Sequence, residues 1–301
     1  MKGVNRYRMD DIRKITGDRM DDLGCMAVLR VKVMKEDVPI DSPLVPIMRQ
    51  SFAFMKDDIR QTVLSGGTPE EIRRWHSRAA DWCIDHDAPM TERLHHLINS
   101  ERDREASKIV RNYRYLLMDN PDRELTETIG ALALRHDDPD IIYIAARMAL
   151  DVESIELADR LSVALLRTDP LRGRGMRCEI LLRMNQIENA LMLARYHYRG
   201  DIDTGLALGI CLLESYHPED AAECLERTRI QMVSEGCVFR LDELIMYEAA
   251  AHICMRNNER ARALIDAAIS FTRSRRRKDL LLTLKEGLRS EDCILLESVQ
   301  I

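Results

Sequence analysis

From residue 68 onward, apolar side chains recur every three or four positions between short polar breaks, the spacing of one buried helical face. Bulky aliphatics carry the pattern: Ile141, Ile142, Ile144, Leu157, Leu161 and Leu165, then Leu181, Leu182, Leu191 and Leu193, then Leu206, Leu208, Leu212 and Leu225. Prolines mark the starts of the runs. Thr68-Pro69-Glu70-Glu71 places Thr at the N-cap, Pro at the first helical position and Glu at the third, a capping box. Asn120-Pro121-Asp122, Asp138-Pro139-Asp140 and Asp169-Pro170 repeat the device, and His217-Pro218 is a weaker version. No proline follows Pro218, so the last helices are free to run long.

Residues 1–67 read differently. Met9–Thr16 predicts a short helix stopped by Gly17, and 18–29 a second with Leu23, Met26 and Val28 or Leu29 as its apolar side. Residues 30–35 alternate polar and apolar, the period of a half-buried strand. Residues 38–47 offer a return strand that Pro39, Pro43 and Pro46 confine to an edge. Residues 51–63 are helical again. Helix, helix, β-ribbon and helix is the order of a small winged helix-turn-helix, whose core would use Ile12, Ile15, Leu23, Met26, Leu29, Val31 and Val33.

The later helices pair, and the pairs repeat. Ala146 and Ala158 are 12 positions apart, as are Cys178 and Ala190, Gly209 and Ala221, and Ala249 and Ala261; the units follow at intervals of 32, 31 and 40 residues. Two small residues so spaced let antiparallel helices approach closely across a short turn, the device of the tetratricopeptide repeat. One such hairpin cannot bury its own apolar face, but stacked neighbours can. The fold expected is all-α: a TPR-like array of antiparallel helical hairpins, an α-solenoid extending over 68–289. A small winged-helix-like module at 1–67 precedes it, and a tail at 290–301 follows.

Composition agrees. The 301 residues include only 13 Gly and 9 Pro, with 46% hydrophobic and 32% charged residues, which favours packed helices over a turn-rich sandwich or a disordered chain. The net charge of -6 opposes a general nucleic-acid binder. The eight cysteines show neither C-x-x-C spacing nor zinc-site grouping with histidines, which points to a reducing, cytoplasmic setting. Neither an apolar leader at the N-terminus nor a run of about 18 apolar residues is seen, so no membrane association is expected.

Three strings carry a family resemblance: Asp41-Ser-Pro-Leu-Val-Pro-Ile-Met-Arg49; Thr68-Pro-Glu-Glu-Ile-Arg-Arg-Trp-His-Ser-Arg-Ala-Ala-Asp-Trp82; and Glu92-Arg-Leu-His-His-Leu97 with Asp103-Arg-Glu-Ala-Ser-Lys-Ile-Val110. Together, over roughly 9–115, they resemble the junction of winged helix and repeat arm in STAND-type, MalT-like signalling ATPases. The resemblance implies an adaptor module followed by a TPR-like arm. The chain departs from that family in lacking the upstream nucleotide-binding domain and in carrying Ser42 where the wing has His.

Catalytic motifs do not stand out. Gly66-Gly67 and Gly173-Arg174-Gly175 cannot form a P-loop, and neither G-x-S-x-G nor H-E-x-x-H occurs. No enzymatic activity, cofactor or metal is expected. His95 and His96 are adjacent on a helix and diverge by about 100°, so they cannot share a metal unaided. His136-Asp137-Asp138 sits at a helix start, where acids cap anyway. Trp75 and Trp82, seven apart around Ala79, read as an apolar stripe. The sharpest charged feature is Arg273, Arg275, Arg276, Arg277 and Lys278, a candidate interaction patch. Its bland reading is a solvated helix end with cations on the C-terminal dipole.

Two functions remain open. One is a non-catalytic scaffold holding a protein or peptide partner in its concave face, in signalling or regulation. The other is a DNA-binding regulator reading with the second N-terminal helix while the repeats act as sensor. The acids Asp18, Asp21 and Asp22 on that helix, and a net charge of +2 from twelve cations and ten anions over 1–67, favour the scaffold.

Overall fold

The structure, a computed structural model, describes residues 8–40, 44–45, 47–48, 52–53 and 55–288. Ser42, most of the wing-end string at 41–49, and the tail at 290–301 lie outside the described residues. The chain divides into two compact units, Met1–Asn112 and Tyr113–Ile301.

In the first unit, α1 (Met9–Thr16) ends at Gly17 with φ 59°, a left-handed stop glycine takes readily. A 3₁₀ turn leads into α2 (Met20–Val28). The strands are minimal: β1 (Val33–Met34), β2 (Ile47–Met48) and β3 (Phe52–Ala53), antiparallel in the order β1-β3-β2. The return strand expected at 38–47 does not pair with β1; β3 does, because a 3₁₀ turn at Lys35–Asp37 and the donor-less Pro39 interrupt the earlier segment. The helix expected from residue 51 begins only at Asp57, as α3 (Asp57–Gly66), with Asp57 and Asp58 placed on its positive end.

Next come α4 (Pro69–Asp85), α5 (Met90–Asn99) and α6 (Asp103–Asn112). The Thr68 hydroxyl accepts from Glu71 N at 3.2 Å and Glu71 accepts from Thr68 N at 2.8 Å, completing the capping box. Trp75 is fully buried in this unit's core, its indole donating to Asp21 at 3.1 Å. Of the expected core residues, Ile15 is instead 50% exposed, because α1 buries Ile12 and Thr16. Trp82 donates to the Asp37 carbonyl at 2.8 Å and stacks on His86 at 4.4 Å.

The second unit is helical throughout its described residues: α7 (Arg114–Asp119), α8 (Arg123–Arg135), α9 (Pro139–Asp151), α10 (Ile155–Thr168), α11 (Pro170–Arg183), α12 (Ile187–His197), α13 (Ile202–Glu214), α14 (Pro218–Ser234), α15 (Leu241–Cys254), α16 (Asn258–Phe271) and α17 (Arg275–Gly287). Consecutive helices pack from α8 to α17, and α9 on α11, α11 on α13 and α13 on α15 stack as alternate layers. The helical-hairpin array is therefore as expected. Ala146, Ala158, Cys178, Ala190, Ala221, Ala249 and Ala261 are all fully buried, and a Cβ at Gly209 would lie 2.4 Å from Leu225 Cδ2.

The hairpin turns share one geometry. Glu153, Asn185, Tyr216 and Arg256 take φ 58°, 56°, 60° and 57°, separated by the same intervals as the small residues. In each turn the next residue donates back to the helix end: Ser154 N to Ala149 O, Gln186 N to Leu181 O, His217 N to Leu212 O and Asn257 N to His252 O, all 2.8 Å. This bond closes a helix C-terminus around a left-handed residue. One expected start shifts: the α8 cap is Asp122, accepting from Leu125 N at 2.8 Å, so Pro121 stands before the cap rather than inside the helix.

Candidate functional site

The first helix of each hairpin in the second unit turns one face to a common cavity of about 530 Å³, within the size range of ligand pockets. It is lined mainly from α9, α11, α13 and α15, with α7 and α17 at its ends; of the second helices only α12 contributes among the described residues, through Ile187 at its start. The cavity is thus the concave side of the array. Its walls are charged as well as apolar: Leu182, Ile210, Phe239, Met246, Tyr247 and Leu280 alternate with five arginines and five carboxylates.

Arg240 anchors the floor. It is the N-cap residue of α15 and takes a left-handed φ of 59°, a strained conformation for a residue with a Cβ. Its side chain is 3% exposed. It reaches Glu179 at 3.0 Å and Asp203 at 2.9 Å, and makes two bonds of 2.8 Å to Glu243. Tyr143 donates its hydroxyl to Asp203 at 2.7 Å. Arg147 pairs with Glu179 and lies 3.5 Å from Glu243. Six side chains from α9, α11, α13 and the start of α15 therefore meet in one network, and each hairpin's register is tied to the next.

Burial works against the Arg240 guanidinium, yet Glu179 and Glu243 hold its pKa well above the ordinary value. Burial likewise disfavours the Glu243 carboxylate, but Arg240 and Arg147 draw its pKa well below the usual range. Asp203 moves the other way, because burial outweighs the help of Arg240 and Tyr143.

The wall is less complete. Among the described residues Arg183, Arg276, Asp151 and Glu214 line the cavity without an ion pair. Burial raises the Asp151 pKa, opposed by the charges of Arg147, Arg276 and Arg183. None of the four is held in a contact ion pair among the described residues.

The structure divides the five-cation run. The break at Thr272 ends α16, and Ser274 caps α17 by accepting from Arg277 N at 3.3 Å. Arg275, Arg276 and Arg277 therefore open a helix instead of closing one, at the dipole end that repels cations; the bland sequence reading had the opposite polarity. Arg277 is balanced by Asp242 at 3.0 Å and Asp119 at 3.4 Å. Arg276 lines the cavity. Arg273, Arg275 and Lys278 are exposed. The Arg277–Asp119 contact spans 158 positions and joins the first and last helices of the unit over its concave side.

Sequence reasoning missed Arg240, Glu243, Glu179 and Asp203. Each lies in an unremarkable polar position, and only the stacking of alternate helices brings them together. It also missed His76, which joins His95 and His96 in the first unit. No helix among the described residues is long and apolar enough to cross a membrane.

No family model matches the chain, and no curated protein matches it. Among solved structures it is similar to a STAND protein with a tetratricopeptide repeat sensor from Pyrococcus horikoshii. That match covers 93% of this chain and 55% of the other at 12% identity, with a TM-score of 0.37. It is also similar to yeast Tom70, over 76% of this chain and 63% of the other at 13% identity, with a TM-score of 0.37. The chain spans less than two thirds of either structure. Similarity this slight adds nothing to the argument from geometry.

Proposed function

We propose that this chain is a non-catalytic helical-repeat scaffold that holds a protein or peptide segment in the concave cavity of its second unit, in a signalling or regulatory setting. One observation carries the reading: a cavity of about 530 Å³ whose floor charges are paired while Arg183, Arg276, Asp151 and Glu214 on its wall are not. Charged groups of both signs outside contact ion pairs, set beside half-buried apolar wall residues, suit a peptide, which offers carbonyls, amides and charged side chains together. Arg276 and Arg277 are then the functional part of the cationic run, and Arg273, Arg275 and Lys278 flank the mouth. Residues 1–67 act as an adaptor of the winged-helix type.

The DNA-reading alternative has less support. In α2, the helix that would enter a groove, Met20 and every residue from Leu23 to Val28 are buried. Its acids are already engaged: Asp22 with Arg19 and Arg78, and Asp21 with Arg74.

The test is a random peptide library panned against the full chain, followed by fluorescence anisotropy with the selected peptides. Arg183→Ala with Arg276→Ala is expected to weaken binding about tenfold or more, as loss of charged contacts at an interface does. Tyr196→Ala, at an exposed position on α12, leaves it unchanged. Peptides indifferent to both cavity variants would refute the reading. A sequence-specific duplex-DNA shift at roughly 150 mM salt would restore the regulator.

A further inference from the structure

His76 on α4 and His95 and His96 on α5 bring three imidazoles together in the first unit, with one ligand nitrogen of each lying within 4.8 Å of the others. The ring centroids form a near-equilateral triangle with sides of 5.6, 5.1 and 5.2 Å. Three imidazoles bound to one tetrahedral ion at about 2.0–2.1 Å would place their centroids roughly 5 Å apart. The observed triangle thus already has the dimensions of a three-histidine metal site. His95 and His96 diverge along their helix, and His76 fills the gap from the facing one.

We propose that His76, His95 and His96 bind a divalent transition-metal ion of the zinc class, with the fourth coordination position left to water or an external ligand. The chemistry of the surroundings fits. His96 Nε2 lies 3.0 Å from Glu92 Oε1, so this nitrogen carries the proton and Nδ1 keeps its lone pair. Glu92 is itself held by the Arg30 backbone N at 2.7 Å and the Arg30 Nε at 3.0 Å. A carboxylate behind the outer nitrogen of a ligating histidine fixes its tautomer and strengthens it as a donor. Glu92 also neutralises Arg30, the nearest cation it contacts.

Without metal, His76 Nδ1–H donates to His96 Nδ1 across 2.8 Å. On binding, His76 moves that proton to Nε2 and both Nδ1 lone pairs turn to the ion. Two donors on a tetrahedral ion stand about 3.3 Å apart, so the pair opens by only about half an ångström. A metal takes the neutral imidazole, the form in which each ring offers one lone pair. His76 and His95 are only partly buried, which leaves a path for the ion. Imidazole donors select zinc, copper, nickel or cobalt over magnesium or calcium.

The experiment is titration of the tag-free, chelator-stripped full chain with Co²⁺ followed by visible absorption, and with Zn²⁺ by calorimetry. The expected result is saturation at one equivalent with the intense d–d bands of tetrahedral Co²⁺, bleached by Zn²⁺. His95→Ala, which removes the ring outside the Glu92–His96–His76 hydrogen-bond chain, should weaken binding about tenfold or more, and Glu92→Gln should weaken it within about 10–100-fold. His136→Ala should change nothing. X-ray absorption of the wild-type zinc complex gives a check independent of any variant, with three imidazoles in its scattering. Absence of saturable binding, binding indifferent to His95→Ala, or thiolate ligation in the absorption spectrum would overturn the proposal.

Discussion

A methyl group at Gly24 would place its Cβ 2.1 Å from Trp75 Cδ2, so this position in α2 admits no side chain while the indole keeps its place. Gly24→Ala is expected to destabilise the chain by about 1–3 kcal/mol or more through overpacking, read as a lower denaturant midpoint. Glu71 sets a different local dependence. Hydrogen bonds from Arg13 and from the Thr68 backbone hold its pKa at about 2, below the ordinary 4.5. A group whose pKa is lower in the folded state adds stability above its unfolded value and loses it as pH falls toward the folded one. The contribution is therefore complete above pH 4.5 and disappears toward pH 2. Arg13 is 42% exposed, and screening keeps the effect to about 1 kcal/mol. Melts of Glu71→Gln and wild type should converge as pH is lowered through this window; parallel curves would count against the assignment.

At the scale of elements, each hairpin is set by two small residues and one left-handed turn residue. Leu at position 158 or 221 would force apart helices whose alanines are fully buried. Ala158→Leu and Ala221→Leu are each expected to cost about 1–3 kcal/mol, and unchanged thermal midpoints would mean a different register. The turns predict the opposite sign. Tyr216 is 88% exposed and held at φ 60°, so its ring contributes little while its Cβ is strained. Replacing it with Gly relieves about 1–2 kcal/mol of strain and loses about 0.4–1 kcal/mol to unfolded-state entropy. Tyr216→Gly should raise the thermal midpoint slightly.

At the scale of the second unit, charge holds the array together across its hairpins. Arg240→Met would leave Glu179, Asp203 and Glu243 buried without their shared cation. The expected loss is about 3–5 kcal/mol, checked by chemical denaturation. Arg277 works at the periphery, where its contact with Asp119 joins the unit's first and last helices. Arg277→Ala should speed amide hydrogen exchange in α7 and α17 while sparing α11 to α14. Equal protection in both proteins would show that the contact does not restrain the ends.

The local elements were readable wherever the deciding interaction is near in sequence. The capping box at Thr68, the stop at Gly17, the caps at Asp138 and Asp169 and the small-residue pairs act within one turn or one hairpin, and residue identity and spacing alone determine them. Readings failed where a distant partner decides. The strand expected at 38–47 gave way to Phe52–Ala53 as the partner of β1, and the polarity of the Arg273–Lys278 run depended on Ser274 opening a new helix. Arg240 and Glu243 share a helix start, as His95 and His96 share α5, but Glu179, Asp203 and His76, which complete the two clusters, come from other helices at no fixed spacing. Only tertiary packing sets those distances, and a buried charge or imidazole becomes a functional group only once it knows its neighbours.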